Sequence, residues 1–377
     1  MREKPLPNPV LRPVSRAVTK PEATGGILLG VDCWWNPEKL PNGHICIIGA
    51  SGSGKTQTLK AIAYELAKQF GRQSGLQFGK QSGEQSGLQI IIVDFHGDQS
   101  IAGETAYPLH MNSPYGINPL VLNLDPAGGG PALQAIAVAA SLRKNLQVGP
   151  NQEGLIIDVL GECYHRKGIT NNPATWGHQS PTFSDFQFLL NQRAQRTEQP
   201  CKESAKLLLK LMATFTYGVF NRPAFRLDIP LVRVDLSKLP PEVGAIAADA
   251  LAKQLMDNHR LQGECAAPRT YLFIDEAKEL SKSPALDRIV CDGRKYGLNL
   301  VLASQSERHL SPDVLSNSAT KIVLPVDQVE VEKVSKKFRF DSQKVAKLQP
   351  LQALCRFGTE AKLTSIIPYF RRVSDGH

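Results

Sequence analysis

A glycine-rich stretch at residues 49–56 has the composition of a phosphate-binding loop. Its sequence, GASGSGKT, matches the pattern G-x-x-x-x-G-K-[ST] in full, with an apolar run before it and a helical pattern (56–70) after it. Glycines let backbone N–H groups converge on phosphate oxygens at the amino end of a helix, where the helix dipole favours negative charge. We expect the following residues to contact a nucleoside triphosphate: Gly49, Ser51, Gly52, Ser53, Gly54, Lys55, Thr56 and Gln57.

Within this loop two side chains have distinct expected roles. Lys55 would reach the β- and γ-phosphates, and the Thr56 hydroxyl would be a Mg²⁺ ligand. ATP and Mg²⁺ are therefore the expected cofactors.

Two carboxylates supply the next part of the chemistry. In TYLFIDEA (270–277), Asp275 and Glu276 end an apolar run. Asp275 would hold Mg²⁺ through its water shell, and Glu276 would be the general base for the attacking water. The alternative is a pair of acids that caps a strand. An adjacent Asp-Glu pair suits ATP hydrolysis better than phosphoryl transfer to a small molecule, which needs no water-activating carboxylate.

The stretch DGRKYGLNLVLASQS (292–306) puts polar groups at both ends of one apolar run. Gln305 stands at its carboxyl end, where ligands bind in open α/β sheets, and can hydrogen-bond the γ-phosphate and the water. Arg294 lies on the turn entering the run, remote from the chain's own γ-phosphate, so it would act on a neighbouring subunit's nucleotide. A polar strand terminus and an exposed basic turn are the alternatives. Gln305 would then act on the chain's own nucleotide and Arg294 on that of a neighbouring subunit, and this arrangement predicts a ring of subunits.

Short apolar, β-branched runs supply the strands that must position these residues. They are near-continuous, which is typical of parallel strands buried on both faces, and they lie at 44–49, 89–95, 231–236, 270–276, 298–304 and 320–326. Helical patterns between some of them, such as 241–260, favour an α/β core with a mainly parallel sheet.

The same patterns divide the chain into four parts. We predict a short basic, Pro-rich region (1–43), an ATPase core (44–125 and 226–330), an inserted α-helical subdomain (126–225) and a basic C-terminal segment (331–377) with further strands in LCRFG and LTSIIPYF. Within the core, Gln-Ser-Gly recurs in residues 71–89, which predicts a flexible insertion, with gripping of a partner as the alternative.

Composition narrows the class of protein. No run of 18 apolar residues is present, and the N-terminus lacks the apolar region of a signal peptide, so we expect a cytoplasmic protein without a membrane segment. The net charge of +9 suits an anionic partner such as nucleic acid, or simply a solvated basic surface. The seven cysteines form no CxxC pair and are expected to be reduced thiols.

The motifs together resemble the HerA–FtsK superfamily of ATP-driven motors, most closely its HerA branch. The similarity, which extends to conjugative and type IV secretion ATPases and to HerA-like subunits of phage-defence systems, rests on these motifs: GASGSGKTQTLK, IIIVDFHGD, INPL, LFIDEA and GRKYGLNLVLASQS followed by LSNSATKIVLP. It implies a RecA-like (ASCE) core, a hexameric ring with ATP between subunits, double-stranded DNA in a basic channel, and Arg294 as the finger supplied in trans. Asp94 and His96 match a family strand end near the nucleotide, with a tight turn as the alternative.

The sequence also departs from this family. HerA proteins typically carry a β-barrel ahead of the phosphate loop, but only 48 residues precede Gly49 here, so we expect none. The leading hypothesis is a ring-forming, ATP-driven DNA translocase of helicase type that works with a separate nuclease or a defence or restriction partner. The alternatives are a protein-translocating or assembly ATPase of a secretion, conjugation or defence complex, and a nucleotide-gated scaffold, against which Glu276 argues.

Overall fold

A nine-stranded sheet is the central element of the computed structural model, which describes residues 26–73, 87–281 and 283–374. The strands are β1 (Ile27–Gly30), β2 (Cys33–Trp35), β3 (Ile45–Ile48), β4 (Gln89–Asp94), β5 (Thr105–Pro108), β6 (Leu231–Asp235), β7 (Cys265–Ile274), β8 (Tyr296–Ser304), β9 (Thr320–Val323), β10 (Gln352–Phe357) and β11 (Glu360–Ser365). The helices are α1 (Lys55–Gln73), α2 (Pro131–Leu146), α3 (Pro150–Arg166), α4 (Phe183–Ala194), α5 (Lys202–Lys210), α6 (Met212–Tyr217), α7 (Pro241–Leu261), α8 (Pro284–Asp292), α9 (Pro312–Asn317), α10 (Val331–Phe338), α11 (Ser342–Ala346) and α12 (Tyr369–Ser374).

The strand order is β11-β10-β9-β3-β8-β7-β4-β6-β5, and the seven strands from β9 to β5 are parallel. Each of the six apolar runs forms one of these strands. Strands β3, β4 and β8 are buried almost throughout, and β7 is buried in its second half. The mainly parallel α/β fold is therefore confirmed. Strand β5 was not anticipated, because a short edge strand that is half exposed and ends on proline carries no apolar run.

Helices α2 to α6 stand between the edge strand β5 and β6 in the chain. Their core is aromatic: the Phe183 ring lies 4.8 Å from that of Phe220 and 5.8 Å from that of Phe186. Tyr164 is buried with them, and its hydroxyl donates to the carbonyl of Leu120 at 2.8 Å. This helical core is continuous with the apolar face of the sheet, since both belong to one cluster of buried side chains.

The C-terminal segment extends the sheet. Strands β10 and β11 pair antiparallel beyond β9. The strand predicted in LCRFG is confirmed by β10, whereas only the first three residues of LTSIIPYF lie in β11 and its last two begin α12. Helix α12 then packs on α1, where the Tyr369 and Tyr64 rings meet edge to face at 5.6 Å. The C-terminal segment thus lies next to the helix that begins at Lys55.

Three other predictions concern the Gln-Ser-Gly stretch, the cysteines and membrane segments. The Gln-Ser-Gly stretch at 71–89 falls largely outside the described residues, and it stays a prediction. All seven cysteines are free thiols. Within the described ranges, every helix is too short or too polar to cross a bilayer.

Candidate active site

The phosphate loop joins the carboxyl end of β3 to the amino end of α1. Its start is tied to the strands on either side, because the Gly49 N–H donates to Ser304 O at 3.2 Å and the Ala50 N–H donates to Pro325 O at 2.7 Å. Gly52 and Gly54 have φ of +74° and +106°, a region that side chains with a Cβ rarely adopt. The glycines at these two positions are therefore required by the shape of the loop.

Lys55 bends back over this loop. Its ammonium Nζ donates to the carbonyl oxygens of Gly49 and Ala50, both at 2.8 Å. Burial lowers the pKa of Lys55, and the opposing charges of Glu276 and Asp98 partly offset that effect. The lysine is thus a half-buried cation held at the loop that is shaped to take phosphate.

Asp275 and Glu276 directly follow β7, and both are almost fully buried. Asp275 Oδ1 accepts a hydrogen bond from the Phe95 N–H at 3.3 Å, whereas Oδ2 is buried without a hydrogen-bond partner among the described residues. Burial, and next the charge of Asp94, raise the pKa of Asp275 well above its usual value. An unpartnered buried carboxylate oxygen of this kind is costly unless a cation binds it.

A cluster of three carboxylates shows where that cation would lie. Asp94, Asp98 and Asp275 each place one oxygen within 4.8 Å of the others. The Thr56 hydroxyl is next to them, since its Oγ1 lies 3.3 Å from Asp98 Oδ2. Carboxylate, hydroxyl and water oxygens are the ligands that Mg²⁺ prefers, so these residues fit Mg²⁺.

Asp98 is the member of this cluster that the sequence analysis missed. It ends the motif IIIVDFHGD, four positions after Asp94. The signal was available in the sequence, because Asp98 follows the apolar run 89–95 closely, and ligands bind at the carboxyl ends of strands in open α/β sheets.

Asp94 holds the turn that carries Asp98. It is fully buried, and its carboxylate accepts from the backbone N–H groups of His96, Gly97 and Gln99 at 2.7–3.1 Å. Both interpretations of Asp94 therefore apply, since it orders a tight turn and also lies within the carboxylate cluster. His96 is exposed, with Nε2 at 3.9 Å from Glu276 Oε2.

Glu276 and Gln305 meet across neighbouring strands. The Gln305 amide Nε2 donates to Glu276 Oε2 at 2.9 Å, and the Lys278 N–H lies 3.4 Å from Glu276 Oε1. The two residues predicted to handle the attacking water are thus in direct contact, at the same edge of the sheet as the phosphate loop.

Arg294 is at the other end of the sheet. It lies in a 3₁₀ turn (Gly293–Lys295) that leads into β8, and its side chain is exposed. Burial, and to a smaller extent the charge of Arg294, lower the pKa of His44, just before β3, to about 4. Since the nine residues of β8 separate Arg294 from Gln305, the rise per strand residue puts them about 30 Å apart. Arg294 therefore cannot reach its own phosphate loop.

A largely buried arginine on β6, Arg233, lies next to these carboxylates. Arg233 donates from Nε to Glu104 at 2.8 Å and from Nη1 to Asp94 at 3.1 Å and Asp235 at 3.2 Å. Burial opposes its charge, but the hydrogen bond to Glu104 and the charges of all three acids raise the pKa of Arg233. Arg233 thus neutralises acids that the active site must keep close together.

We expect Arg233→Met to destabilise the fold strongly. The substitution leaves the three acids without their shared cation, which typically costs about 3–5 kcal/mol for a buried pair. Urea unfolding followed by circular dichroism measures the loss. The control is Arg226→Met, which removes an arginine bonded twice to Asp228 on the surface and should leave the unfolding midpoint nearly unchanged. Equal midpoints for the two variants would contradict the structural role of Arg233.

Two family models match this chain on either side of helices α2 to α6. One, described as "Helicase HerA, central domain", matches residues 30–125, and the other, "Type IV secretion-system coupling protein DNA-binding domain", matches 243–342. A probable DNA double-strand break repair helicase HerA of Methanocaldococcus jannaschii is 39% identical over 75 residues, 19% of this chain and 15% of that protein. A probable helicase of the same organism is 23% identical over 359 residues, 86% of this chain and 64% of that protein. The matches thus span less than two thirds of the length of either relative.

Solved structures share the fold. VirB4 of Thermoanaerobacter pseudethanolicus superposes with a TM-score of 0.72 at 19% identity, over 93% of this chain and 98% of that chain. The plasmid coupling protein TrwB, in complex with a non-hydrolysable ATP analogue, superposes with a TM-score of 0.63 at 16% identity, over 92% of this chain and 90% of that chain. At these identities the likeness establishes the RecA-like architecture.

Proposed function

The chain is a P-loop ATPase of the HerA–FtsK superfamily, and from that premise we propose that it is an ATP-driven motor that moves double-stranded DNA. ATP hydrolysis is the part of this proposal with direct structural support, because the residues that it requires lie together at one edge of the sheet. There the phosphate loop, the carboxylate cluster and the Glu276–Gln305 contact lie together.

In this proposal each residue of the site has one task. The backbone N–H groups of residues 49–57 and the Lys55 ammonium bind the phosphates of ATP. Thr56, Asp98 and Asp275 would hold Mg²⁺, which would supply positive charge where negative charge develops on the phosphates.

Two further side chains act on the water that attacks the γ-phosphate. Glu276 accepts the proton of that water, and Gln305 orients both the water and the Glu276 carboxylate through its amide. For the metal, the sequence predicted Thr56 and Asp275 as ligands, and the structure adds Asp98 as a candidate.

The same proposal includes a ring, hexameric by resemblance, in which Arg294 acts on the nucleotide of a neighbouring subunit. Its exposure and its distance from the chain's own phosphate loop support this assignment. A guanidinium can contact phosphate oxygens in a bidentate manner, which the adjacent Lys295 cannot do.

Double-stranded DNA is the proposed substrate for two reasons. The net charge of +9 favours an anionic partner, and phosphate neutralisation supplies most of the sequence-independent affinity of proteins for DNA. Both matching relatives carry names of helicases, and one family model is described as a DNA-binding domain. We further propose that such a motor works in the cytoplasm with a separate nuclease or a defence or restriction partner, a part of the proposal that rests on the sequence resemblance.

The proposal predicts that linear duplex DNA stimulates steady-state ATP hydrolysis in a salt-dependent way. We expect stimulation at about 50 mM salt and much less at about 200 mM, because release of counterions from DNA drives binding. Coupled-enzyme ATPase assays at both salt concentrations, with and without DNA, measure this. Measurable hydrolysis that DNA leaves unchanged at both salt concentrations would favour a polypeptide substrate instead.

A further inference from the structure

A second polar surface lies on the part of the sheet formed by the C-terminal strands. It is a groove of about 510 Å³ between α9, the start of β9 and the segment around β10. Its lining contains four cationic side chains, Lys321, Lys337, Arg339 and Arg356, and otherwise only apolar, hydroxyl and glycine residues. None of the described residues that line the groove is a carboxylate, which sets the groove apart from the acid-rich active site.

Two of these cations face each other across a strand pair. Arg356 on β10 is the direct partner of Lys321 on β9 in the antiparallel register. Side chains at such positions stand about 5 Å apart at Cβ, and like charges there destabilise the sheet. Burial lowers the pKa of Lys321, and the charges of Arg339 and Arg356 lower it further. The fold therefore holds two like charges side by side in this groove.

Arg339 adds to this repulsion from an unusual backbone position. It ends α10 with φ of +59°, a left-handed conformation in which glycine or asparagine is favoured. Its own carbonyl accepts a hydrogen bond from the Arg356 guanidinium. The Arg339 side chain thus adds a positive charge to the groove at the end of α10.

Two of the four cations in the groove form hydrogen bonds or an ion pair within the protein, and the other two are available to a ligand. Arg356 also donates to the carbonyls of Phe338 and Thr359 at 3.3 and 3.2 Å, and its guanidinium lies over the Phe340 ring, so it is a held cation without a carboxylate partner. Lys337 forms an ion pair with Glu307. In the part of the chain that the structure describes, the side chains of Lys321 and Arg339 have neither a hydrogen bond nor an ion pair.

We propose that this groove binds phosphate groups of the DNA backbone, at a site separate from the ATP site. Three closely spaced cations without a carboxylate match the charge of successive backbone phosphates, and guanidinium groups bind phosphate in a bidentate manner. The inference rests on the proposed function, since it names a place where the DNA of that motor is held.

The test is DNA binding by the variant Lys321→Gln/Arg339→Asn, where asparagine tolerates the left-handed conformation. Fluorescence anisotropy with a labelled 30-base-pair duplex is measured over a series of salt concentrations. Loss of two phosphate contacts should make the negative slope of the logarithm of the association constant against log salt concentration shallower by about 1.8. This corresponds to as much as about 60-fold weaker binding at 0.1 M salt. Basal ATP hydrolysis without DNA should equal that of the wild type, which also shows that the variant folds.

A matched control removes the same charge elsewhere. Lys202 and Lys362 are exposed, and Lys202→Gln/Lys362→Asn should keep the wild-type slope to within about 0.5 because a general effect of net charge is small. If the groove variant binds DNA as tightly as this control, the inference is wrong. It is equally wrong if the groove variant loses affinity for ATP and retains affinity for DNA. Failure of the wild type itself to bind DNA would instead contradict the proposed function.

Discussion

Glu276→Gln is expected to lower kcat for ATP hydrolysis by about 10²–10⁴-fold, the usual contribution of a general base. The amide is close in size to the carboxylate and can keep a hydrogen bond with Gln305, but it cannot accept a proton from water. Because the carboxylate does not belong to the phosphate loop, ATP affinity should stay within about twofold of the wild type. Steady-state kinetics and titration with a fluorescent ATP analogue measure the two quantities.

The neighbouring acid Glu279 provides the control for this experiment. It lies three residues further along and is only partly buried, so Glu279→Gln removes the same charge without reaching the site. This variant should hydrolyse ATP at close to the wild-type rate. A kcat for Glu276→Gln that equals the kcat of the control would remove Glu276 from the proposed mechanism.

Arg294→Ala is expected to lower kcat by about 10³–10⁵-fold, equivalent to about 4–7 kcal/mol of transition-state stabilisation. The loss follows from removing an arginine finger that acts on a neighbour's nucleotide. Mixing this variant with Lys55→Ala should restore part of the activity. In mixed rings the intact phosphate loop of one variant meets the intact Arg294 of the other, at about one interface in four for equal amounts.

The adjacent residue controls for the effect of surface charge. Lys295 is exposed and forms an ion pair only with the exposed Glu264 in the described ranges, so Lys295→Ala should retain nearly full activity. Absence of recovery at every mixing ratio would count against action in trans. Full activity of Arg294→Ala alone would exclude the finger altogether.

The parts of the site that sequence predicts best are those set by local rules. A phosphate loop is contiguous, and Asp275, Glu276 and Gln305 each follow a strand that is recognisable from its apolar run. Since parallel strands end at one edge of a sheet, their meeting there could be expected. The contact between Glu276 and Gln305 is what the structure adds to this expectation.

Contacts between distant segments could not be predicted in this way. Arg233 lies in an ordinary apolar run, and only the sheet order brings it to Asp94 and Glu104. Leu351 is a similar case, because its N–H donates to Ser53 O in the phosphate loop at 3.0 Å. A Cβ at Gly54 would come within 2.6 Å of the Leu351 side chain, so the C-terminal segment limits which residues the loop tolerates. No local pattern in residues 331–377 indicates this contact.

The central claim, that ATP hydrolysis moves this protein along double-stranded DNA, is tested most directly by displacement of a triplex-forming oligonucleotide. The wild type, given a duplex carrying a labelled third strand, ATP and Mg²⁺, should release that strand, and Glu276→Gln should not release it while still binding the duplex. Release that requires ATP and Glu276 is the result that the account predicts. DNA-bound protein that hydrolyses ATP but leaves the third strand in place would contradict it.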